Sequence, residues 1–294
     1  FLIVNIDMVK RCREFMKMSS LIDETVEKLK IERIYVCYQK LYKPIYEHLI
    51  SEQCKSRIEI LQVDDMEYTE LKEHLNVLNE QDLLILIMPF YVSGTDSEIM
   101  HNLLINLEKK GVYFINISAG VEGIKFTNKA QKLYNKLLFE ILEHNSARKI
   151  NENIKRCSNR LIVGKKFRII DEYGSNIEFI VESVLIENIP LTPKQRVIQI
   201  PYGEVFIVPS QGSVNGVFVH KIKEKTSVYQ IKKDFVDLKE LYYQGHFPIC
   251  EIGFGMNELV PDIDALPYLE KRNNTYHLGI GENSNFGGNY KYNF

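Results

Sequence analysis

Short apolar runs alternate with amphipathic stretches throughout the first half of the sequence. Four runs rich in β-branched residues lie at 33–38, 57–63, 82–88 and 111–118. Runs of this kind, bounded by helical patterns, are typical of buried strands. Because parallel strands need crossover connections, usually helices, the alternation predicts an open parallel α/β sheet.

The stretch between the third and fourth runs carries the clearest helical pattern. Ile99, Leu103, Leu104 and Leu107 recur at helical spacing, opposite the charged residues 108–110. The sequence GTDS in front of this stretch is typical of a helix N-terminus. The spacing therefore predicts an amphipathic helix that packs its leucines on the sheet.

Parallel sheets often carry nucleotide sites, but the motifs for one are missing from this sequence. No GxGxxG follows the first run, and no GxxxxGK[ST] occurs anywhere. The two glycines of SAGVEG, after the fourth run, are typical of an ordinary strand-to-helix turn rather than a phosphate cradle.

The amino-acid composition indicates which binding partners and which cellular compartment to expect. The 294 residues are 45% hydrophobic and 26% charged with a net charge of −2, so no global field would attract nucleic acid or anionic lipid. The five cysteines are scattered without any CxxC, which favours a reducing cytoplasm over a disulfide scaffold or a zinc knuckle. The longest apolar stretch, LLILIMPFYV, is too short to cross a bilayer. We therefore expect a cytoplasmic protein with no nucleic-acid or membrane partner.

The pattern of predicted secondary structure changes near residue 155. A charged helical stretch near 127–157 is followed, from about Arg160, by extended runs separated by turns, including hairpin material at DEYGSN. We predict two domains. Residues 1–155 would form a Rossmann-like α/β domain with a bridging helix, and 156–294 a β-rich α+β domain.

Three polar residues of the second half lie in apolar, glycine-containing surroundings. They are Glu204 in YGEVFIVP, Glu251 in PICEIGFGMNE and His277 in NTYHLGIGEN. Carboxylates and an imidazole that converge in a partly dry site can hold a transition metal, whose charge would offset the burial of Glu204. The residues alone leave two other interpretations open. Either glutamate could pair with a lysine or arginine, and His277 could be a hydrogen-bonded core histidine.

Together these segments resemble the aminopeptidase T family of metallopeptidases. IPYGEVFIVPSQGSVNGVFV is similar to the family's Leu-Pro-x-Gly-Glu-Val-Phe signature. CEIGFGMNE is similar to Glu-Leu-Gly-Ile-Gly-x-Asn-Pro, with Glu258 at the proline position. NTYHLGIGENSNFGGNY is similar to Gly-Thr-x-His-Ile-Ala-Leu-Gly followed by a Gly-Gly turn. The resemblance covers about 160–294, and the first half agrees only in architecture.

The resemblance implies a site and an activity. Glu204, Glu251 and His277 would bind metal, with two divalent ions (zinc, cobalt or manganese) activating water to remove N-terminal residues from peptides. Glu251 or Glu282 would relay a proton to the leaving amine. Lys271 and Arg272 are expected to be loop charges, with binding of a substrate carboxylate as the alternative. The family also implies a homodimer, and the richness in isoleucine, asparagine and lysine is typical of an AT-rich bacterial genome.

Two departures from the family pattern bear on the activity. A family tyrosine seven positions beyond the histidine is replaced by Ser284, unless Tyr290 or Tyr292 takes its role. The family's closing His-x-Asp pair would begin just after Phe294, so we expect the catalytic domain to continue beyond that residue.

Two alternatives to a hydrolase stay open. A ring-cleaving iron dioxygenase acting on dihydroxypyridine is similar to the same scaffold, and it would need one iron. A metal-free, peptide-binding homologue would keep the fold without the chemistry.

Overall fold

A computed structural model of the chain describes residues 18–51, 54–64, 66–90, 95–121, 138, 146–187, 191–193, 195–222, 225–240, 243–260, 269–281 and 288. The chain divides into two compact units. One comprises Phe1–Arg148 and Ile189–Pro201, and the other comprises Lys149–Asn188 and Tyr202–Phe294.

The first unit contains a five-stranded sheet in which every pairing is parallel, in the order β2-β1-β3-β4-β7. Its strands are β1 (Arg33–Tyr38), β2 (Ile58–Gln62), β3 (Asp82–Phe90), β4 (Tyr113–Val121) and β7 (Val197–Ile200). Its helices are α1 (Met18–Leu29), α2 (Lys43–Leu49), α3 (Tyr68–Asn76) and α4 (Thr95–Lys109). The predicted parallel sheet is therefore present, and each of the four apolar runs contributes a strand.

The apolar pattern of the sequence explains the core of this unit. Leu84 and Leu86 of β3 are buried in one cluster with Leu103 and Leu107 of α4. The helical spacing of the two leucines places them on the same face of α4, which lets both reach that cluster. The predicted amphipathic helix is confirmed over the described residues.

The second unit is built around a closed antiparallel barrel. Six strands form the ring β11-β10-β9-β6-β8-β12, which closes by pairing β12 with β11. They are β6 (Asn176–Glu187), β8 (Glu204–Pro209), β9 (Asn215–Ile222), β10 (Lys225–Lys232), β11 (Phe235–Glu240) and β12 (Tyr243–Gly255). Strand β5 (Lys166–Ile170) pairs with β6, and β13 (Tyr276–Ile280) pairs with β12. The β5–β6 hairpin confirms the turn predicted at DEYGSN.

Alternation along the strands separates the barrel core from the outer face. Ile207, Ile252 and Leu278 belong to the apolar cluster of this unit, whose buried members also include Phe179. Successive side chains of a strand point to opposite faces. Glu204, Glu251 and His277 therefore lie on the face away from this core.

One strand from the second half of the sequence belongs to the sheet of the first unit. Residues 195–209 look uniformly extended and were predicted to belong to the β-rich half. Val197–Ile200 pairs instead with β4 of the parallel sheet, and the chain then enters β8 of the barrel. The first segment of the first unit ends at Arg148, whereas the predicted boundary lies near residue 155.

Some predicted features lie partly or wholly outside the described residues. Of the helical stretch near 127–157, the structure describes residue 138 and helix α5 (Ser146–Ser158). The helix belongs to the second unit from Lys149 onwards. In the described part of the chain, no helix combines the length and the apolarity needed to span a membrane.

Candidate metal centre

Three strands bring the three predicted donors together. Glu204 opens β8, Glu251 lies in β12, and His277 lies in β13. One ligand atom from each residue lies within 4.8 Å of the other two. Nε2 of His277 is 3.1 Å from Oε1 of Glu251 and 3.2 Å from Oε1 of Glu204. Residues far apart in sequence thus form one group of donors.

Strand register explains this convergence. On β12, Gly253 is directly opposite His277 of β13, and Gly255 is opposite Glu204 of β8. Directly opposed residues present their side chains on the same face. Both glutamates and the histidine therefore share one face of the three strands.

Gly253 provides the space in which the donors meet. A Cβ atom at this position would overlap the ring of His277 and Oε1 of Glu204. At Gly279, a Cβ atom would lie 2.9 Å from Cβ of Glu251, which is closer than real Cβ contacts. The glycines around the candidate residues are thus required by close approach, which is one of the roles of glycine inside a strand.

A buried lysine holds the other oxygen of Glu204. Nζ of Lys271 lies 3.2 Å from Oε2 of Glu204 and 2.5 Å from Oε2 of Glu187. The prediction that Lys271 is a solvated loop charge is wrong, because this residue is only 6% exposed. The sequence left open whether Glu204 pairs with a basic residue or joins His277 in a donor group. In the structure one oxygen of Glu204 contacts the lysine and the other faces the histidine.

Two buried polar atoms of the cluster lack a hydrogen-bond partner. They are Oε1 of Glu204 and Nδ1 of His277. Oε1 of Glu204 lies close to Nε2 of His277 without forming a hydrogen bond to it. A buried carboxylate oxygen that accepts no hydrogen bond is costly, and a bound cation would satisfy it. Two carboxylates and one imidazole are also a ligand set that suits divalent transition metals.

The pKa directions follow from burial and mutual charge. Burial raises the pKa of Glu204, against the opposing effects of Lys271 and His277. Burial also raises the pKa of Glu187, against the opposing charge of Lys271. Burial lowers the pKa of His277, but its contact with Glu251 and the charge of Glu204 outweigh burial, so the net shift is upward. Metal ligands must be deprotonated, so metal binding here would release protons.

The cluster has an excess of negative charge. Glu187 and Glu204 share the ammonium group of Lys271, and Glu251 lies beside Glu204 and His277. For Lys271, burial lowers the pKa, yet Glu187 and Glu204 raise it by more, so the side chain is held in its charged form. A divalent cation beside Glu204, Glu251 and His277 would offset the remaining negative charge. The residues present therefore fit a metal ion.

Several residues implied by the family resemblance lie outside the described residues. They are Glu282, Ser284, Tyr290, Tyr292 and Phe294. Among the residues that are described, Glu204, Glu251 and His277 form the one group of three or more close donors.

Sequence reasoning missed Glu187, which completes the ion-paired part of the cluster. This glutamate ends strand β6 and is paired in register with Glu204 of β8. Its setting in VLIENIP resembles that of Glu204 in YGEVFIVP, because one acidic residue stands at one end of an apolar run. That pattern could have identified it as a second carboxylate with little exposure to solvent.

Comparisons with known proteins show a distant fold relationship. No family model matches the chain, and no curated protein does. A solved structure of 2,5-dihydroxypyridine dioxygenase from Pseudomonas putida KT2440 aligns with a TM-score of 0.51 and 11% identity, over 83% of this chain and 77% of that one. Wild-type AmpT from Thermus thermophilus aligns with a TM-score of 0.43 and 11% identity, over 81% of this chain and 77% of that one. At such identities the likeness concerns the fold alone, and membership of the aminopeptidase T family stays a prediction.

Proposed function

We propose that Glu204, Glu251 and His277 hold a divalent metal ion and that the chain is a metal-dependent hydrolase that removes N-terminal residues from peptides. The observation that carries the metal site is the convergence of three donor residues, one of which, Glu204, has a buried carboxylate oxygen without a hydrogen-bond partner. The substrate class rests on the resemblance of three sequence segments to the aminopeptidase T family.

The chain's own residues would divide the work at this centre. A divalent ion bound there would lower the pKa of a water molecule and polarise a scissile carbonyl. Lys271 holds Oε2 of Glu204 and so leaves Oε1 directed towards His277. The side chain of Glu251 is 22% exposed, compared with 8% for Glu204, so Glu251 is better placed to pass a proton to the leaving amine.

A mononuclear iron dioxygenase is the second candidate function. Two observations favour it. The three donor residues are enough to hold one metal ion, and the fold is similar to that of the dihydroxypyridine dioxygenase. The donor chemistry favours hydrolysis, because iron dioxygenases of the facial-triad type use two histidines and one carboxylate. The described group has the opposite ratio.

Metal binding comes first in the test. Protein stripped with a chelator is titrated calorimetrically with zinc, manganese, cobalt and ferrous ions, for the wild type, Glu204→Gln and His277→Ala. Replacing a residue that only hydrogen-bonds to a metal ligand typically lowers metal affinity by roughly 10- to 100-fold. Replacing a direct ligand should lower metal affinity by more than that. Glu178→Gln is the matched control, because this glutamate also lies on a barrel strand but pairs with Lys166.

Activity separates the candidate functions. Hydrolysis should be seen with short peptides that have a free N-terminus, and not with their N-acetylated forms. It should stop on chelation and in Glu204→Gln. Oxygen uptake with a dihydroxypyridine and ferrous ion would support the dioxygenase instead. Binding of peptides without any metal uptake would support a non-catalytic homologue. Unchanged hydrolysis in Glu204→Gln would refute the proposed centre.

We also propose that the protein is a cytoplasmic homodimer, from its scattered cysteines and from the family resemblance. Light scattering on the purified full chain measures the oligomeric state. A monomer mass at micromolar concentration would refute the dimer.

A further inference from the structure

A cavity of about 630 Å³ lies in the second unit, away from the candidate metal centre. Phe254 of β12 and Tyr276 of β13 line it and are opposite each other in register. They are one position from Gly253 and His277, so their side chains point to the other face of these strands. The cavity is thus a separate feature of the fold, and its volume is in the range of about 300–1,000 Å³ that small-molecule sites occupy.

The polar lining of the cavity carries positive charge. Arg156 lies in the last turn of α5, Arg160 follows two residues after the helix ends, and Arg168 comes from β5. Among the described residues that line the cavity, none is acidic. Three arginines from two segments of the chain therefore line one space, and arginine is the side chain best suited to bind planar anions.

Three carboxylates contact residues that line the cavity, and each of them already has a close partner. The pairs that occupy them are Glu258 with Lys149, Glu178 with Lys166, and Asp171 with Tyr276. Arg168 donates a 2.7 Å hydrogen bond to Asn176 and lies 4.0 Å from Glu178. The charge of Arg156 helps to lower the pKa of Glu258, but the ion-pair partner of that glutamate is Lys149. Within the described part of the chain, neither Arg156 nor Arg160 forms an ion pair with a carboxylate, so both can still pair with an anionic ligand.

The remaining lining combines uncharged polar residues (Asn153, Asn273, Asn274 and Thr275) with aromatic and apolar ones. Phe167 and Phe179 stack with ring centroids 6.1 Å apart. The ring of Tyr276 is fixed by an edge contact with Phe218 at 6.0 Å and by a 2.6 Å hydrogen bond from its hydroxyl to Asp171. Fixed rings of this kind offer a flat surface for another aromatic group.

We propose that this cavity binds an aromatic carboxylate. The arginines would hold the carboxylate group, and Phe167, Phe254 and Tyr276 would contact the ring body. The site is independent of the proposed hydrolase function, because its lining residues and the metal ligands belong to opposite faces of β12 and β13.

The test compares a charged probe with a neutral probe of the same shape. Calorimetry measures the binding of 2-naphthoate and of 2-naphthalenemethanol to the full chain. The wild type should prefer the carboxylate. The variant Arg156→Gln/Arg160→Gln should bind 2-naphthoate at least about 10-fold more weakly, because hydrogen bonds to charged groups are lost. Its affinity for the alcohol should not change.

Two controls keep the result specific. Lys155→Gln removes an exposed charge of α5 outside the cavity and should bind 2-naphthoate like the wild type. Glu204→Gln should also bind it normally, which separates this site from the metal centre. If the double variant lacks the wild-type unfolding transition, the single variants Arg156→Gln and Arg160→Gln replace it, because both arginines are exposed.

Several outcomes would overturn the proposal. They are equal affinity of the wild type for the acid and the alcohol, unchanged 2-naphthoate affinity in the arginine variants, and no detectable binding of 2-naphthoate at millimolar concentration.

Discussion

Oε2 of Glu204 lies 3.2 Å from the ammonium group of Lys271, while Oε1 of the same carboxylate lies 3.2 Å from Nε2 of His277. One carboxylate thus joins a buried ion pair to a group of metal donors. Lys271 does not compete for the oxygen that faces His277, because it contacts the other one. We infer that this lysine positions Glu204 and balances the charge of Glu187.

Removing the lysine should destabilise the protein strongly. In Lys271→Met, Glu187 and Glu204 stay buried without their cation, and breaking a buried pair in this way costs about 3–5 kcal/mol. Urea unfolding at pH 7 measures the change in the free energy of unfolding. Lys165→Met, at an exposed position of the same unit, should lie within about 0.5 kcal/mol of the wild type.

A second substitution distinguishes charge from packing. Lys271→Met combined with Glu187→Gln removes both members of the 2.5 Å pair and should recover part of the lost free energy of unfolding. Equal losses in the single and double variants would show that the lysine acts through packing alone.

Filling the space at Gly253 should abolish metal binding. In Gly253→Ala the added methyl group would overlap the ring of His277 and Oε1 of Glu204, which would have to move apart. Overpacking of this kind costs about 1–3 kcal/mol in stability. We expect metal affinity, measured by calorimetry on stripped protein, to fall below detection.

Gly164→Ala is the matched control for this substitution. At Gly164 the φ angle is +75°, and no atom lies within 4 Å of an added Cβ. Alanine there should lose about 1 kcal/mol of stability through backbone conformation, with metal affinity unchanged. Normal metal uptake by Gly253→Ala would contradict the donor geometry.

Asp171 should make the stability of the barrel unit depend on acidic pH. Partial burial raises the pKa of its carboxyl group, but hydrogen bonds from Tyr276 and Ser175 outweigh burial, so the net pKa lies below the usual value. Those bonds stabilise the folded state above the unfolded pKa of about 3.9. The contribution is lost as the pH falls through the lower, folded pKa.

Asp171→Asn tests this contribution. At pH 7 the variant should lose about 2 kcal/mol, because hydrogen bonds to a charged acceptor are weakened. The difference from the wild type should persist down to about pH 4 and shrink below it. Urea unfolding from pH 7 to pH 2.5 measures it, with the exposed Glu172→Gln as control. A difference independent of pH would assign the effect to packing.

The sequence predicted the parallel sheet well because its strands are buried among apolar neighbours. The run at 82–88 has no polar position after Asp82, and β3 is buried from Leu83 to Met88. Strand β7 could not be assigned in the same way. Its four residues, VIQI, have the texture of the barrel strands that follow, and only its pairing with β4 decides where it lies.

The donor group was predictable for a similar reason, whereas its ion pair was not. A carboxylate or imidazole in an apolar strand with adjacent glycines stands out, and Glu204, Glu251 and His277 all have that setting. Lys271 lies in the segment LEKRNN, which looks like a solvated loop. Its burial depends on Glu187 and Glu204, from strands 67 or more residues away.

The crossing of β7 has a practical consequence for anyone who wishes to study the barrel by itself. No single cut in the gene yields either unit intact, because Ile189–Pro201 interrupts the barrel unit and supplies the last strand of the parallel sheet. A fragment starting at Lys149 would carry VIQI as an orphaned, aggregation-prone segment immediately ahead of Glu204. Replacing 189–201 with a short polar linker is the rational design for an isolated barrel.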